Sequence, residues 1–283
     1  MVVSHHQPSI HLEWQDLKNN LKDGLRLSQR MPVLFLGHGS PMHALGGNQY
    51  SQIWSELGKI LPCPQAILVV SAHWMTHGTT LVDVSPMPRT IHDFYGFPPE
   101  LYEQQYPAKG HPKLASHIAH MLEDHHVQKD ETWGLDHGAW SVLKWLYPHA
   151  DVPVFQLSID MKADLDSHLS IGQSLAKLRD MGVLILGSGN VVHNLSTMRP
   201  EGGNYDWAEE FDTRFADLLA HRNFKMLANR KEWGKLFAKA HPSHDHYIPA
   251  LTVAGASNQK DQFAFTNVGM DMASISMRSF VFY

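Results

Sequence analysis

The amino-acid sequence predicts an α/β fold with a mostly parallel central sheet, helices on both faces of that sheet, and an antiparallel hairpin at the C-terminus. Two observations support this prediction. Runs of strand length that are apolar at every position recur along the chain, as in parallel strands covered on both faces. Between them lie longer segments in which apolar residues recur with helical spacing. Strands and helices that alternate in this way form three layers, α/β/α.

Four apolar runs are predicted to be strands. The first, 33–36, ends abruptly in Gly37-His-Gly-Ser-Pro41, and the second, 66–74, has a serine and a histidine near its end. The third, 152–159, contains a proline, which favours an edge position or the first residue of a strand. The fourth begins at Val183 and ends in Gly-Ser-Gly-Asn. Turn residues of these types commonly bound strands.

Helices are predicted where apolar residues fall on one side of a helical repeat. They cover 50–61, 112–122, a segment from the loop 133–140 to Pro148, 164–179, 206–220 and 222–240. The connection 79–108 is rich in proline and aromatic residues and is expected to be irregular; long irregular segments in compact domains are usually functional. Residues 263–283 alternate apolar and polar residues, which predicts the terminal hairpin.

One domain over residues 1–283 is expected, because no linker, repeat or low-complexity tract divides the chain. Within it, leucines spaced as one helix face predict an amphipathic lead-in helix in residues 1–30. A chain of this length can bury a large core as a single α/β unit.

The composition excludes several classes of function. Hydrophobic residues make up 43% and charged residues 18%, as in folded globular proteins. A net charge of −5 without a Lys/Arg cluster argues against a nucleic-acid partner, and the single cysteine excludes a disulfide framework. No secretory leader and no run of the ~20 apolar residues that span a membrane is visible. A cytoplasmic protein without a membrane partner, monomeric or a small homo-oligomer, is expected.

The chain contains 21 histidines, of which a mononuclear metal site uses only a few. His38 and His73 each follow an apolar strand directly. Because the carboxyl ends of parallel strands meet at one edge of a sheet, these two imidazoles can share one metal there. The alternative, that each satisfies a turn carbonyl, is about equally favoured by spacing alone.

Three further histidines are candidates, and spacing alone leaves each of them open. His193 lies just after the fourth strand, where it points toward the same edge or simply packs. His246 shares a loop with His241 and His244, for which a surface loop is the plain alternative. Next to His137, an aspartate either orients the imidazole or caps a helix.

Other catalytic motifs are missing from the sequence. It has no His-Glu-x-x-His, no Gly-x-Ser-x-Gly around Ser40, and no Gly-Lys-Ser/Thr phosphate loop. The segment 187–192 carries two glycines of a dinucleotide-binding fingerprint but not the third.

Taken together, the motifs resemble those of the 4,5-DOPA extradiol dioxygenase family, within the class III extradiol ring-cleaving dioxygenases. The similar segments run in family order from about residue 31 to the C-terminus. They are Gly37-His-Gly-Ser-Pro41, Ser71-Ala-His-Trp74, Thr90-Ile-His-Asp-Phe94, Gly96-Phe-Pro98, Asp136-His-Gly138, Gly187-Ser-Gly-Asn-Val-Val-His-Asn194 and Asp245-His-Tyr-Ile-Pro249. Each motif alone is weak, but the set is specific.

The resemblance implies a phosphorylase/hydrolase-like three-layer fold and one divalent metal bound by His38, His73 and His246, with His193 beside it as a ligand or near-ligand. His246 is chosen over His244 because Tyr-Ile-Pro follows it as in the family. The resemblance also implies proton transfer by His137, for which His193 is the alternative.

The implied reaction is cleavage of a catechol ring, in a DOPA-like substrate, by O2 to a ring-opened semialdehyde. It needs Fe(II), whereas Zn(II) fits the same histidines without redox chemistry. Trp74, His92 and Phe94 are expected to contact the substrate, with aromatic core packing as the alternative. A zinc hydrolase and a non-catalytic metal-binding protein remain alternative functions.

Overall fold

A computed structural model of the chain describes residues 30–283 together with Lys18, Asn19 and Lys22. Those three residues are helical. The rest of the lead-in helix predicted within residues 1–30 lies outside the described residues.

Eight of the ten described strands form one sheet, in the order β4-β3-β5-β2-β6-β1-β10-β7. The strands are β1 (Val33–Gly37), β2 (Ala66–Thr76), β3 (Thr80–Asp83), β4 (Val127–Asp130), β5 (Val154–Asp160), β6 (Val183–Gly189), β7 (Phe263–Asn267), β8 (Met270–Asp271), β9 (Ile275–Ser276) and β10 (Ser279–Phe282). The four central strands β5, β2, β6 and β1 are parallel, and antiparallel pairs occur only toward the sheet edges. The predicted mostly parallel sheet is therefore confirmed.

The C-terminal antiparallel hairpin is also confirmed, with an insertion that the sequence pattern does not reveal. Strands β7 and β10 pair antiparallel at one end of the large sheet. Between them in sequence, β8 and β9 form a separate two-stranded hairpin, in which Asp271 pairs with Ile275.

The helices lie on the two faces of the sheet. They are α1 (Gln49–Ile60), α2 (Pro99–Tyr102), α3 (Pro112–Met121), α4 (His137–Leu146), α5 (Leu165–Leu175), α6 (Asp206–Ala220), α7 (Phe224–Ala228), α8 (Arg230–Trp233), α9 (Lys235–Ala240) and α10 (Ile248–Gly255). The prediction of a single helix over 222–240 is wrong. The segment forms three short helices, interrupted at Asn229 and at Gly234, whose φ is +57°.

Two strands, the inner strand β3 and the edge strand β4, occur where the sequence suggests none. Strand β3 lies at the start of the segment 79–108 that was expected to be irregular, and β4 follows α3. Strand β4 is short, and none of its residues is fully buried. An edge strand of this kind lacks the apolar run that identifies a buried strand.

Alternation along the central strands divides the core into two layers. In β1, Val33 and Phe35 pack with α5, α6 and α10 on one face of the sheet, and Leu34 and Leu36 pack with α1 and α4 on the other. Helices α5 and α10 approach closely, since a Cβ at Gly255 would lie 2.1 Å from the Leu169 carbonyl oxygen. Both faces of the sheet are thus covered, as the uninterrupted apolar runs require.

This topology brings the carboxyl ends of β1, β2 and β6 together at one edge of the sheet. His38 follows β1, and Asn190 follows β6. His73 lies inside β2, where the pairing with β5 shifts register between Val70 and Met75. An irregularity of this kind re-aims side chains and is common beside functional sites.

Among the described residues, we find no helix with both the length and the apolar character that crossing a bilayer requires.

Acidification should destabilise the fold partly through His168, a 2%-exposed residue of α5 whose Nε2 lies 3.1 Å from the Asp160 carbonyl oxygen. Burial lowers its pKa to about 4. Between pH 6.5 and 4, His168 therefore binds a proton in the unfolded chain but not in the folded chain. Stability therefore falls as the pH falls through this window. Replacing His168 with Gln should reduce the loss of unfolding free energy between pH 7 and 5 by about 2 kcal/mol.

Urea unfolding at the two pH values measures this difference. The matched control is His117→Gln at an exposed position of α3, which should leave the pH dependence as in the parent. An equal pH dependence in His168→Gln and the parent would contradict the prediction.

Candidate metal centre and active site

Two imidazole nitrogens face each other at the carboxyl edge of the sheet: the Nε2 atoms of His38 and His73 are 3.1 Å apart. The Nδ1 atom of His38 lies 2.9 Å from Ser188 Oγ, and that hydroxyl donates its hydrogen to the Gly138 carbonyl oxygen at 2.6 Å. Because Ser188 has one hydrogen and has already donated it, His38 Nδ1 must donate to Ser188. His38 Nε2 is therefore an unprotonated lone pair.

The carboxylate of Asp93 fixes two further rings in the same way. Its Oδ2 lies 2.9 Å from His137 Nδ1 and 3.3 Å from His73 Nδ1, and its Oδ1 accepts from the His137 backbone N–H at 2.8 Å. Burial raises the pKa of Asp93, but hydrogen bonds and charge interaction with His137 outweigh burial and lower it. The hydrogen bond to Asp93 leaves Nε2 of His137 free as a lone pair, and the same carboxylate lies beside Nδ1 of His73.

His246 completes the cluster from the loop that precedes α10. Its ring centroid lies 5.2 Å from that of His38 and 5.0 Å from that of His73, and its Nδ1 is hydrogen-bonded to Asp245. The ring of His193 stacks on it with 3.4 Å between centroids and 5° between planes. His246 therefore has the same orientation as His38 and His73, with Nδ1 engaged and Nε2 free.

Backbone contacts explain how distant parts of the chain meet here. The His38 N–H donates to the Gly189 carbonyl at 3.1 Å, and the Asn190 N–H donates to the His246 carbonyl at 3.0 Å. A Cβ at Gly189 would lie 2.2 Å from the His246 carbonyl oxygen, so only glycine allows this approach. The end of β6 thus holds the His38 and His246 loops side by side.

Burial keeps three of these imidazoles, those of His38, His73 and His193, neutral. Desolvation, and then the neighbouring histidines, lower the pKa of His38 and of His73 well below the usual range. Burial and His246 likewise lower the pKa of His193. Neutral imidazoles are good ligands for zinc, copper, iron and nickel. The His38 lone pair faces His73 Nε2 at 3.1 Å in this buried site, and a cation can be shared by two imidazole nitrogens at such spacing, so the donor set fits a metal.

Within the described part of the chain, one group of side chains has the spacing of a metal site: the candidate ligand nitrogens of His38, His73 and His137 all lie within 4.8 Å of one another. His246 and His193 adjoin this group through the ring contacts given above. The structure supports one part of the prediction of a single divalent metal: these residues form a site that can hold one ion.

The histidines open on a cavity of about 460 Å³, a size in the range of small-molecule sites. All five predicted metal or catalytic histidines line it: His38, His73, His137, His193 and His246. The other side chains that shape it include Asp93, Phe97, Leu195, Met198, Asp271 and Ile275. His244 is not among the lining residues, which agrees with the choice of His246.

The three residues expected to contact substrate lie behind the cavity wall. Trp74 is 3% exposed and stacks on Trp133 at 5.6 Å, and Phe94 packs against the His137 ring at 5.5 Å. His92 Nε2 bonds the Gln104 carbonyl at 2.9 Å. The cavity therefore does not support substrate contact by Trp74, His92 and Phe94, and their aromatic packing explains why.

Asp136, which the sequence left as either an imidazole orienter or a helix cap, is the N-cap of α4 and accepts from the Ala139 N–H. Orientation of His137 comes instead from Asp93, which sequence reasoning missed although it lies between His92 and Phe94 in a quoted motif. The sequence feature that could have indicated Asp93 is the presence of a carboxylate in a long irregular segment. Nothing in the sequence indicates that Asp271 reaches the cavity, because the β8–β9 insertion is hidden in the hairpin pattern.

A cluster of buried histidines that opens on a cavity at the edge of an α/β sheet is typical of the site of a metal-dependent enzyme. Residues 32–283 match the family described as the catalytic LigB subunit of aromatic ring-opening dioxygenase, so the chain belongs to that family.

Relatives support the same assignment. The chain is 44% identical to a 4,5-DOPA dioxygenase extradiol of Escherichia coli K12 over 269 residues, covering 92% of this chain and 97% of that protein. It is 36% identical to a 4,5-DOPA dioxygenase extradiol of Beta vulgaris, covering 88% and 96%. A crystal structure of an uncharacterized Escherichia coli K12 protein superposes with a TM-score of 0.78 at 40% identity, covering 89% and 99%. The predicted enzyme class, an extradiol ring-cleaving dioxygenase, is confirmed.

Replacing Asp93 with Asn should weaken metal binding by about 10- to 100-fold, because the variant loses the carboxylate that holds the Nδ1 hydrogens of His73 and His137. Turnover should fall even at saturating metal, since the orientation of His137 is lost as well. Chelator competition with Zn(II) measures affinity independently of activity. Asp206→Asn, at an exposed position of α6, is the matched control. Parental affinity and turnover in Asp93→Asn would contradict this assignment.

Proposed function

We propose that this chain uses one divalent metal and O2 to cleave the ring of a DOPA-like catechol, giving a ring-opened semialdehyde. The observation that carries the proposal is the approach of the Nε2 atoms of His38 and His73 to 3.1 Å in a cavity of small-molecule size. Family membership supplies the reaction class. The reaction partners are then a small catechol and O2.

We assign the metal ligands to His38, His73 and His246. In each ring, Nδ1 faces a side chain that accepts its hydrogen: Ser188, Asp93 and Asp245, respectively. Such contacts fix the tautomer that presents Nε2 to a metal. When bound, Fe(II) would coordinate the catechol diol and O2 and exchange electrons with oxygen, whereas Zn(II) would fill the same site without redox chemistry.

His137 is assigned to proton transfer. Its Nδ1 hydrogen is held by Asp93, so its Nε2 is free to take a proton from a catechol hydroxyl and return it later in the reaction. The ring lines the cavity and lies 3.8 Å from the His73 ring, centroid to centroid, which is beside the proposed metal position. His193, stacked on His246, is the second candidate for a proton carrier or a fourth ligand.

The apolar part of the cavity wall orients the substrate. Phe97 and Ile275 face the same space as the histidines, and such side chains hold an aromatic ring while excluding water. A ring held between these residues and the histidine cluster would present its two hydroxyls to the Nε2 atoms.

Oxygen uptake tests the proposal. Protein reconstituted anaerobically with Fe(II) should consume O2 on addition of catechol or L-DOPA and form a yellow ring-opened product, because a redox-active metal can pass electrons from the catechol to O2. The same protein loaded with Zn(II) should consume none. No uptake with any catechol, combined with ester or amide hydrolysis by the zinc form, would replace the oxygenase with a hydrolase.

A pair of alanine variants tests which histidine is the third ligand. His246→Ala should weaken metal binding by about 100-fold or more, as loss of a direct ligand does. His137→Ala should keep most of its metal affinity but lose most of its turnover, since proton transfer contributes about 10²- to 10⁴-fold. Metal titration and oxygen uptake measure the two quantities separately. The reverse pattern would make His137 the ligand, as the 4.8 Å spacing of His38, His73 and His137 also permits.

A further inference from the structure

We propose that Asp271 is the residue that binds the ammonium group of a DOPA-like substrate and so sets the preference among catechols with different side chains. This inference rests on the proposed ring cleavage and assigns a specificity-determining residue to it. It is carried by the position of one carboxylate in the cavity wall and by the charges around it.

The β8–β9 hairpin brings Asp271 to the cavity and holds it there. Asp271 ends β8 and pairs with Ile275 of β9, and both residues line the cavity with the histidines. The hairpin is tied to the segment after β6: the Ser276 N–H donates to the Val192 carbonyl at 2.9 Å, and the Asn194 N–H donates to the Ser274 carbonyl at 3.2 Å. The hairpin that carries Asp271 is therefore hydrogen-bonded to the segment that carries His193.

His43 orients the carboxylate without enclosing it. The His43 Nε2 and Asp271 Oδ2 atoms are 3.0 Å apart, and the imidazole is packed against Tyr50 and Trp54 at ring distances of 5.2 and 6.3 Å. Among the described residues, Asp271 Oδ1 takes part in no hydrogen bond or ion pair. The side chain is 22% exposed, so this oxygen remains available to a ligand.

The charges of the cavity favour a cationic ligand group. Its described lining contains two carboxylates, Asp93 and Asp271, and neither Lys nor Arg. Asp93 is occupied by His73 and His137, which leaves Asp271 as the carboxylate that can meet a substrate. An ammonium group there forms a charge-assisted hydrogen bond, whereas a carboxylate would be repelled without a compensating cation.

Two arginines lie near this hairpin, Arg199 through a backbone contact and Arg278 in the sequence, and the guanidinium of each has another partner. The Arg199 backbone N–H contacts the Met272 carbonyl, but its guanidinium lies 4.0 Å above the Tyr205 ring. Arg278 is bonded to Asp212 through three contacts of 2.6 to 3.0 Å. Neither guanidinium lines the cavity, so neither offers a carboxylate site within it.

The shape of the cavity allows the two ends of such a substrate to be held at once. With the catechol hydroxyls at the histidines, a side chain of a few atoms has room in the 460 Å³ space. Leu195 and Met198, which are 58% and 40% exposed, form an apolar part of the lining. They can cover the carbon atoms of the side chain but offer no charge to its end.

Three catechols that differ only in the charge of the side chain test the proposal on the Fe(II)-loaded chain. The probes are dopamine, the neutral 4-ethylcatechol and the anionic 3-(3,4-dihydroxyphenyl)propanoate. We expect kcat/KM to be highest for dopamine and lowest for the anion. The ratio of kcat/KM for dopamine to that for 4-ethylcatechol should fall about fivefold in Asp271→Asn, the upper end of what a partly exposed charge interaction contributes. Asp206→Asn should keep the parental ratio.

A second variant and a second readout keep the result independent of folding and of turnover. Asp271→Lys should reverse the order, favouring the anionic catechol over dopamine. Calorimetric titration of the zinc-loaded protein should show the same preferences in Kd without any reaction. Cleavage of 4-ethylcatechol with no preference for dopamine, or a parental ratio in Asp271→Asn, would overturn the amine subsite alone. Failure of all three catechols to be cleaved would overturn the proposed ring cleavage, while the calorimetric comparison would still decide whether Asp271 binds the amine.

Discussion

The close approach of His38 Nε2 and His73 Nε2, 3.1 Å apart in a buried pocket, is the constraint on which the site depends, because two imidazole nitrogens at this spacing can share one cation. Either ring would lose this capacity by protonation or by a change of tautomer. Burial and the neighbouring histidines oppose protonation, since they lower both pKa values well below the usual range. The partners of Nδ1, Ser188 and Asp93, oppose the other tautomer. The folded chain therefore holds these two nitrogens in position to bind a cation.

Such a pair needs a rigid frame, and the sheet supplies it. His38 and His73 belong to strands β1 and β2, which lie on either side of β6. The same strand carries Ser188, which fixes the His38 ring, and Gly189, which lets the His246 backbone approach. One strand therefore sets the tautomer of one imidazole and the position of another. Precise metal sites are commonly built on rigid elements supported in this way.

The sequence reveals the parts of this site that coincide with apolar strands. His38 and His73 are recognisable because each follows a buried run, and the parallel pairing of β1, β6 and β2 then brings them together. Asp93 and Asp271 are not recognisable, because they lie in irregular or short segments whose positions depend on tertiary packing. Strand β4 was missed for a related reason: it lies at the sheet edge, and an edge strand need not be apolar at every position. Strand β3 was missed because it has only four residues and no continuous apolar run.

The placement of carboxylates bears on which chemistry the site performs. A hydrolase of this architecture would need a base beside the water that it activates, and a carboxylate could serve only with an oxygen free toward the cavity. Both oxygens of Asp93 are occupied by His137, one of them shared with His73, and Asp245 is bonded to His246. Their charge therefore acts through the imidazoles. Asp271 keeps one oxygen free in the cavity lining, but its other oxygen is bonded to His43, which is not one of the proposed ligands. The base nearest the proposed metal position is then an imidazole nitrogen. A neutral base beside several imidazole donors suits a substrate that itself brings negative charge to the metal, as a catechol does on losing its hydroxyl protons.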